Sequence, residues 1–267
     1  MFVFMTTREG RDWSGRPALL KLAVPLVLLL SACAGTPEAA DPVVVQGTAG
    51  PAGLASSAGG PGCPAGGGAV PSESNRVATD DLDGDGSADE LWLAHDEGLR
   101  LLGVTTASGA RFSVVLNQWD EGAQEQRVGD RVSAVAGRLG DGSAVILVNL
   151  GRSAALYSVV NCYIVATTNA ENRPYLFDLG YDGTGDGVGC VSEGSSRELV
   201  GYRAEYDATK QTYKVSRRTV SIDETGRQAS NGPSEVLGTD LAEGSAEVTR
   251  AQSVTCGDNG EIAEPVY

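Results

Sequence analysis

The chain has one histidine, His95, in 267 residues. That excludes multi-histidine metal sites and the HExxH class, and leaves His-assisted nucleophilic catalysis with a single candidate. His95 lies just past the apolar stretch Leu91-Trp92-Leu93-Ala94, a place typical of a strand-end or surface histidine. No GxSxG elbow, P-loop or GxGxxG dinucleotide turn occurs. No CxxC pair occurs either, so the cysteines do not read as a zinc ribbon. Basic residues are scarce, 20 against 35 acidic ones, for a net charge of −15. A surface of that sign repels nucleic-acid phosphates and anionic headgroups, so no nucleic-acid partner is expected. Past residue 75 no window sustains an apolar stripe at i, i+3, i+4 and i+7, which excludes a helical bundle.

What is present begins with a basic start, Arg8, Arg11, Arg16 and Lys21, followed by the apolar run from Leu22 to Leu30. A positive n-region, a short h-region and small residues at a cut read as an export signal over residues 1–32. The run is too short to cross ~30 Å of hydrocarbon comfortably, the reading that competes with it. Leu30-Ser31-Ala32-Cys33 resembles the bacterial lipobox. The resemblance implies a bacterial lipoprotein cleaved just before Cys33, with diacylglycerol on the Cys33 sulfur. The expected place is the extracytoplasmic face of the cell membrane, with the membrane as partner through that lipid. An ordinary signal followed by a chance cysteine is the alternative. Cleavage there removes four basic and two acidic residues and leaves 16 and 33, a net charge of −17.

Residues 33–74 then read as the lipidated cysteine and a tether. Stretches such as Ala49-Gly50-Pro51-Ala52-Gly53 and Ser57-Ala58-Gly59-Gly60-Pro61-Gly62 cannot bury a core. A Gly-rich coil of some 40 residues spans about 35 Å, enough to lift a domain off a membrane. With Cys33 acylated, Cys63, Cys162, Cys190 and Cys256 remain, an even number in an exported chain, and two disulfides follow. Four cysteines allow three pairings. Cys162 and Cys190 flank one loop-rich stretch, and Cys63 and Cys256 lie near the two ends of the folded part. The expected bridges are therefore 162–190 and 63–256.

Residues 75–267 suffice for one domain, and their pattern is all-β. The segments 90–94, 111–116, 144–150, 155–160, 198–204 and 212–217 are short and rich in β-branched and aromatic residues. Gly, Asp and Asn bound them. A repeat runs through them. Asp83-Gly84-Asp85-Gly86-Ser87-Ala88 returns as Leu139-Gly140-Asp141-Gly142-Ser143-Ala144 and, more decayed, as Thr184-Gly185-Asp186-Gly187. Asp85, Asp141 and Asp186 are 56 and 45 residues apart, a period that suits blades of a propeller. The expected architecture is short antiparallel strands in a propeller-like or incomplete propeller fold of about three to four blades.

The main chemical signal is Asp81-Leu82-Asp83-Gly84-Asp85-Gly86-Ser87-Ala88-Asp89. Carboxylates occupy loop positions 1, 3, 5 and 9, Gly86 permits the turn at position 6, and the Ser87 carbonyl can face the same centre. Hard calcium takes six to eight oxygens at ~2.3–2.6 Å, and this spacing wraps them round one point. An EF-hand needs a bidentate Glu at position 12, where this chain has Trp92. The loop instead resembles the DxDxDGxxD turn of FG-GAP and VCBS-type repeats, found in integrin α propellers and many bacterial surface proteins. That resemblance implies Asp81, Asp83, Asp85, Ser87 and Asp89 as calcium ligands, with a strand following directly. The competing reading is an empty acidic turn. The second copy has lost positions 1, 3 and 9. The third keeps Asp182, Thr184 and Asp186 but has Cys190 at position 9.

These readings point to a lipid-anchored, calcium-binding β-domain, a binding or structural module of the envelope with a protein or glycan ligand and no catalytic residues. The alternative is an extracytoplasmic hydrolase using acidic residues, whose spatial pairing sequence does not reveal. A purely mechanical spacer is the third reading. Trp92, Trp119, Tyr157, Tyr163 and Tyr175 could line a sugar-binding face, though such aromatics are more often core residues.

Overall fold

The computed structural model describes residues 61–116, 131–180, 186–194 and 196–266. They form three sheets, each built on an antiparallel meander of sequential strands. The first runs in order β1 (Ser74–Ala78), β2 (Glu90–Asp96), β3 (Leu99–Thr105), β4 (Arg111–Val115). The second holds β5 (Ser133–Arg138), β6 (Ala144–Asn149), β7 (Ser153–Val160) and β8 (Tyr163–Ala166). A short β9 (Leu176–Asp178) pairs with the other end of β7. The third holds β10 (Gly187–Glu193), β11 (Ser196–Asp207), β12 (Thr212–Ile222) and β13 (Ala229–Leu241). The described residues form no closed barrel or propeller.

The apolar patterns explain the order of layers. Ala144-Val145-Ile146-Leu147-Val148 on β6 is buried at every position, which requires cover on both faces of the sheet. Ala144, Ile146 and Val148, with Ala155 and Tyr157 of β7, pack against Leu91, Leu93, Leu102 and Val104 of the first sheet. Val145 and Leu147, with Leu156, pack against Val188, Leu199 and Val220 of the third. The second sheet is thus the middle layer of two cores. A third core lies on the far face of the last sheet, where Val200, Tyr202 and Val215 meet Val248 and Ala251 of α1 (Ala246–Ala251). That helix is six residues long, too short to leave an apolar stripe in the sequence, and Ser245 caps it by accepting from the Val248 N–H.

After α1 the chain returns along the first strands of the sheets. β14 (Val254–Cys256) adds to β10 in parallel, and β15 (Ile262–Ala263) adds to β5 antiparallel. The Asn75 side-chain amide donates to the Ala263 carbonyl at 2.8 Å, so this C-terminal segment touches all three sheets. The buried carboxylate of Glu264 fixes its end. One oxygen accepts from the Val132 N–H at 3.1 Å, and the other meets His95 Nε2 at 2.8 Å and Arg100 Nε at 3.1 Å. His95 thus sits near the end of β2, bonded to the buried Glu264.

The cysteine pairing differs from expectation. Cys63 bonds Cys162 and Cys190 bonds Cys256. Sequence proximity misleads because Cys162 sits in the β7–β8 turn of the middle sheet, whereas Cys190 lies on β10 in register with Cys256 of β14. The first bridge holds a strap, residues 61–73, that the sequence places in the tether. Cys63 is buried, and Gly66 bonds both Gly109 and Arg111. The strap runs so close to β4 that a Cβ on Gly67 would fall 1.8 Å from the Arg111 carbonyl oxygen, which demands glycine there.

Candidate metal centre

The acidic loop joins β1 to β2. Its carboxylates first organise the loop itself. Asp81 Oδ1 accepts from the Gly84 N–H at 2.6 Å, and Oδ2 from the Gly86 N–H at 2.9 Å. Asp89 is nine-tenths buried and accepts from the Leu82 N–H at 2.7 Å and the Ala107 N–H at 3.0 Å. Asp83 Oδ2 accepts from the Cys63 N–H at 2.7 Å, which draws the strap over the loop. One oxygen from each of Asp81, Asp83 and Asp89 lies within 4.8 Å of the others, so the three could hold a metal ion.

The donor set suits a hard cation. All three groups offer carboxylate oxygens, and an oxygen that accepts one N–H keeps a second lone-pair direction. Burial pushes the Asp89 carboxyl above its ordinary value. The two N–H bonds oppose that, and the charges of Asp83 and Asp81 add to it. Asp85 stands outside the converging set and accepts from the Ser87 N–H at 2.7 Å. Asp182 and Thr184 of the third acidic stretch lie outside the described residues. That stretch is also not equivalent to the others: the first two join the first and second strands of their sheets, whereas Asp186 leads into β10, a first strand.

Two neighbours of the loop carry no signal in the local sequence. Arg138, at the end of β5, places Nη1 at 3.1 Å from the Asp81 carbonyl and 3.8 Å from its Oδ2. Asp80 pairs with Arg197 at the start of β11 and accepts from the Arg138 N–H at 3.0 Å. Burial works against ionisation of Asp80. The Arg138 N–H, the Asn259 side chain and the Arg197 guanidinium outweigh it and hold the carboxyl below its ordinary value. The acidic loop is thereby tied to the second and third sheets.

The aromatics do not share one face. Tyr157, Trp92 and Tyr175 are buried, Tyr163 is exposed, and Trp119 lies outside the described residues. Comparison of the chain with protein-family models, with curated proteins and with solved structures found no match.

Proposed function

We propose that the chain is a lipoprotein anchored through Cys33 to the extracytoplasmic face of the membrane. Its β-domain is a calcium-stabilised binding or structural module. The observation that carries this reading is the convergence of Asp81, Asp83 and Asp89 where the strap, the β1–β2 loop and the bridge between sheets meet. Calcium is the ion such a set of hard oxygens favours. Asp85 and Ser87 would complete its shell after a small rearrangement of the turn. Two disulfides support an oxidising compartment. No helix among the described residues is long and apolar enough to cross a membrane. In this reading the three meanders are blades of an incomplete propeller related to FG-GAP and VCBS repeats, with the C-terminal segment on their first strands.

The test has two arms. Calorimetry with calcium should show one saturable site in the parent chain and none in Asp83→Ala. Mass spectrometry of the chain from its host membrane should show a diacylated N-terminal Cys33, and Cys33→Ala should accumulate uncleaved precursor. An unmodified Cys33 overturns the anchor, and absence of calcium binding overturns the metal.

A second reading, an acid-dependent hydrolase, has one observation in its favour. Asp186 lines a cleft beside Asp178, and burial pushes its carboxyl above the ordinary value. Release of reducing sugar from envelope polysaccharide that is lost in Asp186→Asn would support it.

A further inference from the structure

The longest strands lie in the third sheet, and one of its faces changes character along their length. Directly opposed residues of an antiparallel pair share a face. Leu199 opposes Val220, and this end of the face is covered by the middle sheet. Two residues further on, Gly201 opposes Arg218, and then Arg203 opposes Ser216. On β13, Asn231 opposes Val220 and Ser234 opposes Arg218. The face thus passes from apolar to cationic and hydroxyl-bearing where the cover thins to β9. The wedge between β9 and this end of the sheet is a cleft of about 940 Å³.

Its floor and walls are built for a ligand with several polar groups. Phe177 of β9 lies against Gly201 so closely that a Cβ there would sit 3.2 Å from the ring. Tyr175 stacks edge-on to Phe177 at 5.2 Å and donates its hydroxyl to Asn231 Oδ1 at 2.8 Å. Arg173, Arg203 and Arg218 line the cleft in a chain whose net charge is −15. Among the described residues no carboxylate lies within ion-pair distance of Arg218, while Arg203 pairs with the exposed Glu205 at 3.2 Å and its charge also acts on Asp186, and Arg173 meets the exposed Glu171 at 3.8 Å. Asp178 and Asp186 supply acceptors at the same site.

We propose that this cleft binds an acidic polysaccharide built of uronic-acid sugars. Arg203 and Arg218 hold its carboxylates, and Ser216, Asn231, Asp178 and Asp186 its hydroxyls. Planar guanidinium groups recognise carboxylates in two-point fashion. The mixture of donors and acceptors between them matches a ligand with several hydroxyls for each charge. A polyphosphate or nucleic acid, with denser charge and few hydroxyls, would meet the two aspartates and the acidic surface unfavourably. A peptide that binds by strand addition needs a free sheet edge, whereas this floor is a sheet face that offers side chains only. The inference rests on the reading of the domain as a binding module and is separate from the metal centre.

The test titrates the full-length chain in detergent with short oligomers of galacturonate, of mannuronate and guluronate, and of glucuronate-containing hyaluronan. A neutral galactose oligomer and poly-glutamate are controls. At least one uronate oligomer should bind saturably, and the galactose oligomer should not. Arg218 is exposed, so Arg218→Ala should leave the melting temperature unchanged and weaken binding about tenfold or more. Ser216→Trp, which fills the cleft, should abolish binding. No saturable binding by any uronate overturns the proposal, as does equal binding of the neutral oligomer or of poly-glutamate. Calcium titration of the same samples separates the two readings: a chain that binds calcium but no uronate keeps its metal centre and loses the glycan.

Discussion

The two disulfides close separate segments of chain, and this has a measurable consequence. Cys63–Cys162 spans 99 residues of sequence and Cys190–Cys256 spans 66. Chain-entropy reasoning assigns about 4.7 and about 4.3 kcal/mol to loops of those lengths at 25 °C. For a domain of this size a change of 1 kcal/mol moves the melting temperature by about 2–4 °C, so loss of either bridge should lower it by about 10–15 °C. Cys256 is fully buried, and a Cβ on Gly137 would lie 2.5 Å from its Sγ, so alanine is the better replacement: a serine hydroxyl there would be buried. Because neither loop contains the other, the double variants Cys63→Ala/Cys162→Ala and Cys190→Ala/Cys256→Ala should have additive costs when combined. Calorimetric unfolding of the four forms, after non-reducing peptide mapping, measures this. A cost below about 1 kcal/mol for either pair would refute the reasoning, as would peptides joining Cys162 to Cys190.

Other expectations follow from the packing and from Asp186. Ile146→Ala, at a fully buried position of the middle sheet, should cost about 2–5 kcal/mol in urea unfolding with an unchanged m-value. Burial raises the Asp186 carboxyl above its ordinary 3.8, opposed by the Ala204 N–H and Arg203. The stability tied to that proton is complete below 3.8 and is lost as pH rises through the raised folded value. Asp186→Asn keeps the acceptor for the Ala204 N–H, so it should melt higher than the parent at neutral pH, with the difference vanishing in acid; a constant offset across pH would contradict this.

Much of the β architecture was legible because burial writes alternation or continuous apolar runs into single strands. All six strands expected from sequence are present, as β2, β4, β6, β7, β11 and β12. β13 leaves no such signal: it is an edge strand rich in Ser, Asn, Gly, Pro and Glu, its one buried residue is Ala229, and its Val236 and Leu237 are exposed, so there is no period to read. β14 and β15 are too short to signal themselves and exist only because the C-terminal segment finds edges on β10 and β5. The acidic loop was legible because its carboxylates are local in sequence. Arg138 and the Asp80–Arg197 pair come from strands that the fold brings together, as do the disulfide partners, and no short window carries that information. Asp186 resembled a loop aspartate, but it stands before a first strand and lines the cleft instead.

Asp81, Asp83 and Asp89 are the proposed ligands of a cation, and calcium-dependent thermal unfolding of the full-length chain tests that most directly. A ligand that binds only the folded state stabilises by RT ln(1 + [L]/Kd), about 2.7 kcal/mol at a hundredfold excess over Kd. Extracellular calcium modules have Kd values of about 10⁻⁴–10⁻³ M, so the titration should extend well into the millimolar range. The melting temperature should rise continuously with calcium, fall back with chelator, and be insensitive to both in Asp83→Ala. A parent chain whose melting temperature is the same in chelator and in saturating calcium would contradict it.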